Sequence, residues 1–108
     1  MKTFEFNAMF GGKEKGYMVE NRYANNGNLA IQIMTYDEEM IEPYCMLTTN
    51  IVDFKDKNLI TIDTNNLYCD VVEVLEREGV IENMHDMIPS GFCTYPVYRV
   101  TDKFKDWL

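Results

Sequence analysis

The sequence predicts an α+β fold: an antiparallel sheet of about five or six strands with one main helix packed on one face. Three observations carry that expectation. Short segments of period-two alternation recur along the chain. Asn- and Gly-rich hairpin signals separate them. One stretch alone, Leu67 to Glu78, spaces its apolar residues as a helix does.

Thr3 to Asn7 alternates with Phe4 and Phe6 on one face, and Gly11-Gly12 follows as a turn. Tyr17 to Tyr23 alternates again. Asn25-Asn26-Gly27-Asn28 is a strong hairpin signal, because Asn and Gly tolerate the positive φ of primed turns. In the next strand, Leu29 to Tyr36, the residues Leu29, Ile31 and Ile33 point to one face, with Ala30, Gln32 and Met34 on a partly wet one. An acidic break, Asp37 to Pro43, separates it from Tyr44 to Asn50, where Thr48 and Thr49 favour a strand, so the first strands read as a meander.

After a charged loop, Leu59 to Ile62 is a short strand that ends at Asp63-Thr64-Asn65-Asn66, read as a turn and helix cap. Leu67, Val71, Val74 and Leu75 then form the apolar stripe of the helix, and Gly79 is placed to end it in the left-handed conformation. A loop through His85, Pro89, Ser90 and Gly91 leads to a last strand, Thr94 to Val100, whose Pro96 suits an edge position. Thr101 caps a short final turn ending at Trp107.

The chain has 108 residues, 46% of them hydrophobic and 13% aromatic, which is enough for the core of one domain spanning 1–108 and too short for two. With 18 acidic against 10 basic residues the net charge is −8, which opposes direct binding to nucleic-acid backbones and favours a basic protein partner. No apolar stretch approaches a membrane span, and the alternating N-terminus lacks the basic start and apolar run of an export signal. A cytoplasmic monomer or weak homodimer without membrane contact is the expectation. The three cysteines, Cys45, Cys69 and Cys93, are odd in number and widely spaced, so they read as reduced, buried and inert thiols.

No catalytic, metal or cofactor site emerges. Cys93 and His85 are eight residues apart, a separation that by itself brings no thiolate pair together. Cys45, Cys69, Cys93 and His85 lack the short ligand spacing of a structural zinc site. Asp63 to Asn66 has neither the central Gly nor the distant Glu of a calcium loop, and Gly11-Gly12 lacks the spacing of a phosphate-binding loop. The acidic residues are more informative. Asp37, Glu38, Glu39 and Glu42 place four negative charges in six residues of one loop. Asp70, Glu73 and Glu76 recur every three residues on the helix, away from its apolar stripe. Such faces keep a small protein in solution, and they also steer association with a basic groove. These seven residues are the candidate partner-binding surface.

Several stretches carry a family resemblance: Tyr23-Ala24-Asn25-Asn26 with Leu29-Ala30-Ile31, then Glu42-Pro43 followed by Leu47-Thr48-Thr49-Asn50, then Asp63 to Asn66, then Ser90 to Tyr98. Together they resemble an uncharacterised family of small proteins, a domain of unknown function, carried on plasmids and conjugative elements of Gram-positive bacteria. Some proteins resembling this group, from streptococci and enterococci, act as anti-CRISPR inhibitors of the type II RNA-guided nuclease. The resemblance implies a non-enzymatic inhibitor that binds the nuclease's basic channel and opposes guide RNA loading or target docking. The alternative it implies is an accessory or regulatory protein-binding module of a mobile element. It supplies no catalytic residue.

Overall fold

The alternating segments do form strands, but they build two sheets instead of one. The computed structural model describes residues 2–108. In the first sheet, β1 (Phe4–Asn7), β2 (Lys13–Arg22), β3 (Leu29–Asp37) and β4 (Met40–Met46) lie in chain order as the expected meander. The second holds β5 (Thr48–Thr49), β6 (Leu59–Ile62), β7 (Ile81–Ser90) and β8 (Cys93–Val100) in the order β5-β6-β8-β7. Every pairing in both sheets is antiparallel. The helices are short: α1 (Val71–Arg77) and a single turn, α2 (Lys103–Asp106). Among the described residues no helix is long and apolar enough to cross a membrane.

One continuous apolar cluster joins the two layers. Phe4, Phe6, Met18, Ile31 and Ile33 come from the first sheet, Ile60, Ile62, Ile81 and Val100 from the second, and Val71, Val74 and Leu75 from α1. The helical stripe is therefore the buried side of α1, as its spacing predicts. Trp107, beyond α2, stacks at 5.4 Å on Phe4 and so ties the end of the chain to β1. Gly16 permits a close approach in β2, since a Cβ there would meet Met34 O at 2.7 Å and Phe6 Cε1 at 2.9 Å.

The expected single sheet divides at Leu47. Tyr44 to Asn50 is not one strand, because Leu47 turns the chain from the edge of the first sheet to the edge of the second. Its N–H donates to Ile31 O at 2.9 Å and its carbonyl accepts from Asp63 N–H at 3.0 Å, so one fully buried residue bonds to both layers. Thr48 continues the seam, with its Oγ1 accepting from Ile31 N–H at 3.1 Å.

A side-chain network closes the same seam. Asn28, only 5% exposed, donates through Nδ2 to Asn50 Oδ1 at 3.0 Å and to Val52 O. Its Oδ1 accepts from Phe54 N–H at 3.2 Å and from Lys57 Nζ at 3.0 Å. Asn26 donates to Asn50, Asn50 donates to Asn25, and the Tyr23 hydroxyl meets Thr48 Oγ1 at 3.1 Å. The hairpin turn between β2 and β3 is thereby sewn to the connection between β5 and β6. No buried side-chain polar atom among the described residues lacks a partner.

Three other elements depart from expectation. The acidic break is a tight hairpin, since β3 runs on to Asp37 and β4 begins at Met40. The segment around His85 and Pro89 is strand β7, bulged between Asn83 and Asp86, where His85 takes a φ of 57° and its N–H donates to Asn83 Oδ1. Pro96 lies in β8, an internal strand by order. Because β6 pairs with β8 only as far as Val97, the missing Pro N–H costs no ladder bond to β6.

The main helix departs from expectation as well. Asp63 to Asn66 forms the expected turn, with Asn66 N–H donating to Asp63 O, but caps nothing. The helix begins later, after Asp70, whose carboxylate accepts from Asn7 N–H at 2.6 Å and Asn7 Nδ2 at 3.0 Å. An isolated bridge between Ala8 and Cys69 adds to this junction. The Cys69 bridge to Ala8 and the Asp70 N–H bond to Asn7 O tie residues 69–70 to the end of β1 and leave only Val71–Arg77 for the helix. Gly79, with a φ of 75°, ends it as expected.

Asn28→Ala leaves the Phe54 amide and Asn50 short of partners in a half-buried seam, and is expected to lower the unfolding free energy by about 1–2 kcal/mol. Asn66→Ala, on an exposed turn, should change it by less than about 0.5 kcal/mol. Urea denaturation of both variants checks this, and equal midpoints would mean that the network does not hold the layers together. Asp70→Ala is expected to cost about 1 kcal/mol, visible as faster amide exchange in α1. Exchange rates as in the parent chain would show that the Asn7 junction does not set the helix start.

Candidate functional site

The first four candidate acids sit together on the β3–β4 hairpin. Asp37 ends β3, Glu38 and Glu39 form the turn and Glu42 lies in β4; all four are exposed, and none joins an ion pair among the described residues. Asp37 also shapes the turn, its Oδ1 accepting from Glu39 N–H at 2.9 Å. Because β4 is the edge of its sheet, the hairpin presents these charges on an open flank.

The structure adds residues that the acidic pattern did not identify. Glu14, Tyr36, Asp37, Met40, Glu42 and Tyr44 surround a concavity of about 330 Å³. Three carboxylates and two phenol rings form its wall. Burial raises the Tyr44 phenol above its ordinary range, with the nearby Cys69, Glu14 and Cys45 adding to the effect, so it stays neutral and keeps its O–H available as a donor. Met40 and Ile41 stand beside the carboxylates at 57% and 52% exposure. Carboxylates around aromatic faces, with apolar side chains alongside, suit an arginine or lysine side chain, whose charge and stem need both. Lys15, with Nζ 5.7 Å from the Tyr36 ring, is the chain's own example.

The other three acids do not extend this surface. Asp70 is engaged by Asn7, as described above, and is half-buried. Glu73 and Glu76 are exposed on α1, where they flank Tyr98. Burial first, and then these two carboxylates, raise the Tyr98 phenol above its usual value. The concavity that Glu73 borders, with Leu67, Cys69 and Tyr98, shares no lining residue with that of the hairpin. The seven residues are thus one acidic hairpin, one structural aspartate and two separate helix carboxylates.

The rejected constellations fall on equally clear geometry. Cys93 pairs with Ser90 beside the turn of the β7–β8 hairpin, whereas His85 lies in the bulge next to Asp86, which pairs with Val97. Four strand residues separate the two levels, roughly 13 Å at the usual rise. No group of three or more His, Cys, Asp or Glu among the described residues is placed to hold a metal ion. Cys45 on β4, Cys69 at the entry to α1 and Cys93 in β8 are half-buried, where the sequence predicts buried thiols.

Strand register was the signal for the missed residues. Gly16 pairs with Thr35, so Glu14 and Lys15 continue beside Tyr36 and Asp37, and a hairpin turn at Glu38-Glu39 folds Glu42 and Tyr44 back towards them. That turn has no Gly or Asn to mark it.

No curated protein and no solved structure matches the chain. A family model described as a domain of unknown function, DUF4313, matches residues 18–107, which include the seam, both acidic segments and the β7–β8 hairpin. The chain therefore belongs to the DUF4313 family.

Proposed function

We propose that this protein is a non-enzymatic binding module whose acidic β3–β4 hairpin engages a basic surface of a partner protein. One observation carries the reading: four exposed carboxylates without ion-pair partners among the described residues, beside exposed Met40 and Ile41, sit on an open sheet edge around a concavity lined by tyrosines. Interfaces draw affinity from aromatic and Met contacts and association rate from charge. Here both lie within one hairpin.

The nucleic-acid channel of a type II RNA-guided nuclease is the partner that the resemblance implies, and its chemistry agrees with the hairpin. Such a channel is lined with basic groups that hold the guide and heteroduplex through their backbones. An acidic hairpin competes for those groups. Inhibition of this kind weakens as salt rises and needs no turnover.

The test is in vitro DNA cleavage by streptococcal and staphylococcal type II nucleases, with the protein added before or after guide RNA. Inhibition confined to addition before the guide assigns the loading step; inhibition in both orders assigns target docking. Joint reversal of Glu38, Glu39 and Glu42 to Lys is expected to weaken inhibition about tenfold or more and to flatten its salt dependence, with the fold intact. Asp37 is left in place because of its turn bond. Full potency of the triple variant would remove the hairpin from the mechanism. No inhibition by the parent chain in either order would replace the nuclease with a different basic partner, such as an accessory component of a mobile element.

A further inference from the structure

We propose that Asn26 is a site of spontaneous deamidation which the native turn holds in check, so that the covalent change records opening of the seam between the two sheets. Asn26 is the one asparagine of the chain that is followed by glycine. That order favours the reaction, because Gly27 has no side chain to keep its backbone nitrogen away from the Asn26 carboxamide. The pair lies in the turn between β2 and β3, where both residues are half-buried and water still reaches them.

The fold holds both reacting groups. Asn26 Nδ2 donates to Asn50 Oδ1 at 3.1 Å and Asn26 Oδ1 accepts from Asn28 N–H at 3.0 Å, which fixes the carboxamide at its nitrogen and at its oxygen. The Gly27 N–H donates to Tyr23 O at 2.8 Å. That nitrogen becomes the nucleophile only when it has lost its proton, and a proton engaged in a hydrogen bond is harder to remove. Both groups must leave these bonds before the nitrogen reaches Asn26 Cγ, so the rate follows the population of the opened turn.

In the opened turn the Gly27 nitrogen gives its proton to solvent base and attacks Asn26 Cγ. The carbon–nitrogen bond of the carboxamide breaks and ammonia leaves. Water then opens the resulting five-membered imide at one of its two carbonyls, which leaves aspartate or isoaspartate at position 26. One water is consumed and one ammonia released, with nothing oxidised or reduced. Neither product refits the seam. Aspartate has no donor for Asn50 Oδ1, and Asn50 can turn its own amide to meet it only by giving up the bond from Asn28 Nδ2 and the bond to Asn25 Oδ1. Isoaspartate lengthens the backbone between the two residues by one methylene, which draws the Gly27 N–H away from Tyr23 O. Either product also adds a negative charge to a chain whose net charge is already −8. An opening that was reversible is thereby made lasting.

Timed incubation of the full chain at mildly alkaline pH, in native buffer and in guanidinium chloride, followed by peptide mass mapping, tests the site. In denaturant Asn26 is expected to convert before any other asparagine, and in native buffer it should convert about tenfold or more slowly. Asn50→Ala removes the acceptor of Asn26 Nδ2, so it should speed conversion several-fold in native buffer and leave the rate in denaturant unchanged. Asn26→Asp, made directly, should lower the denaturation midpoint. Equal rates in the two buffers, first conversion in denaturant at another asparagine, an unchanged native rate in Asn50→Ala, or a parent-like midpoint for Asn26→Asp would overturn the proposal. The comparison of buffers uses the parent chain, so its result stands even where a variant fails to fold.

Discussion

The structure depends on one seam, where the turn before β3 is hydrogen-bonded to the chain that has just left the first sheet for the second. A two-layer protein of this size must pass its backbone from one layer to the other, and the polar groups at the crossing leave water without a regular ladder to receive them. Leu47 and Thr48 supply some of the missing partners directly to Ile31. Asn28 and Asn50 supply the rest, each with both donor and acceptor capacity in a short side chain. Half-satisfied, such a network would be worse than an apolar seam; completed, it selects one relative placement of the two sheets.

That placement decides where the acidic hairpin projects. β3 is buried at its start, from Leu29 to Ile31, and again at Ile33, and becomes progressively open through Thr35 and Tyr36 to Asp37. The strand is fixed at the seam and free of the core at its far end. Local stability follows buried contacts, so the side chains of the hairpin tip rearrange on contact at low cost. The seam thus gives the exposed carboxylates a rigid base without enclosing them.

How much was legible in the sequence follows from the same division. The meander order of β1 to β3, the apolar stripe of α1 and the Gly79 stop were readable because each is a local pattern matched to a local conformation. The motif residues Tyr23, Asn25, Asn26, Thr48 and Asn50 were visible as a set, but their mutual bonds across more than twenty residues were not. The split at Leu47 was hidden because a buried Leu in a Thr-flanked run looks like the middle of a strand. β7 was hidden for the opposite reason: much of it lies on a projecting hairpin with residues 84–87 all exposed, so no alternation was required of it. In the site, the charges of the hairpin were legible, whereas Glu14, Tyr36 and Tyr44 join them only through register. Asp70 looked like its neighbours Glu73 and Glu76, and only the path of β1 makes it structural.

The edge position of β4 then limits how any partner can bind. An open edge invites a further strand, and proteins oppose this with charges, prolines and bulges. β4 has all three: Glu42 within the strand, Pro43 next to it, and a register shift opposite Ile33 and Met34. Pro43 donates no backbone hydrogen bond, and the shift breaks the regular spacing that an added strand would need. On the proposed function, recognition at this edge would run through side chains, with the carboxylates and the tyrosine-lined concavity meeting basic groups and Met40 and Ile41 covering their apolar stems. The same charge, proline and register shift also oppose pairing of this edge with the β4 edge of a second copy.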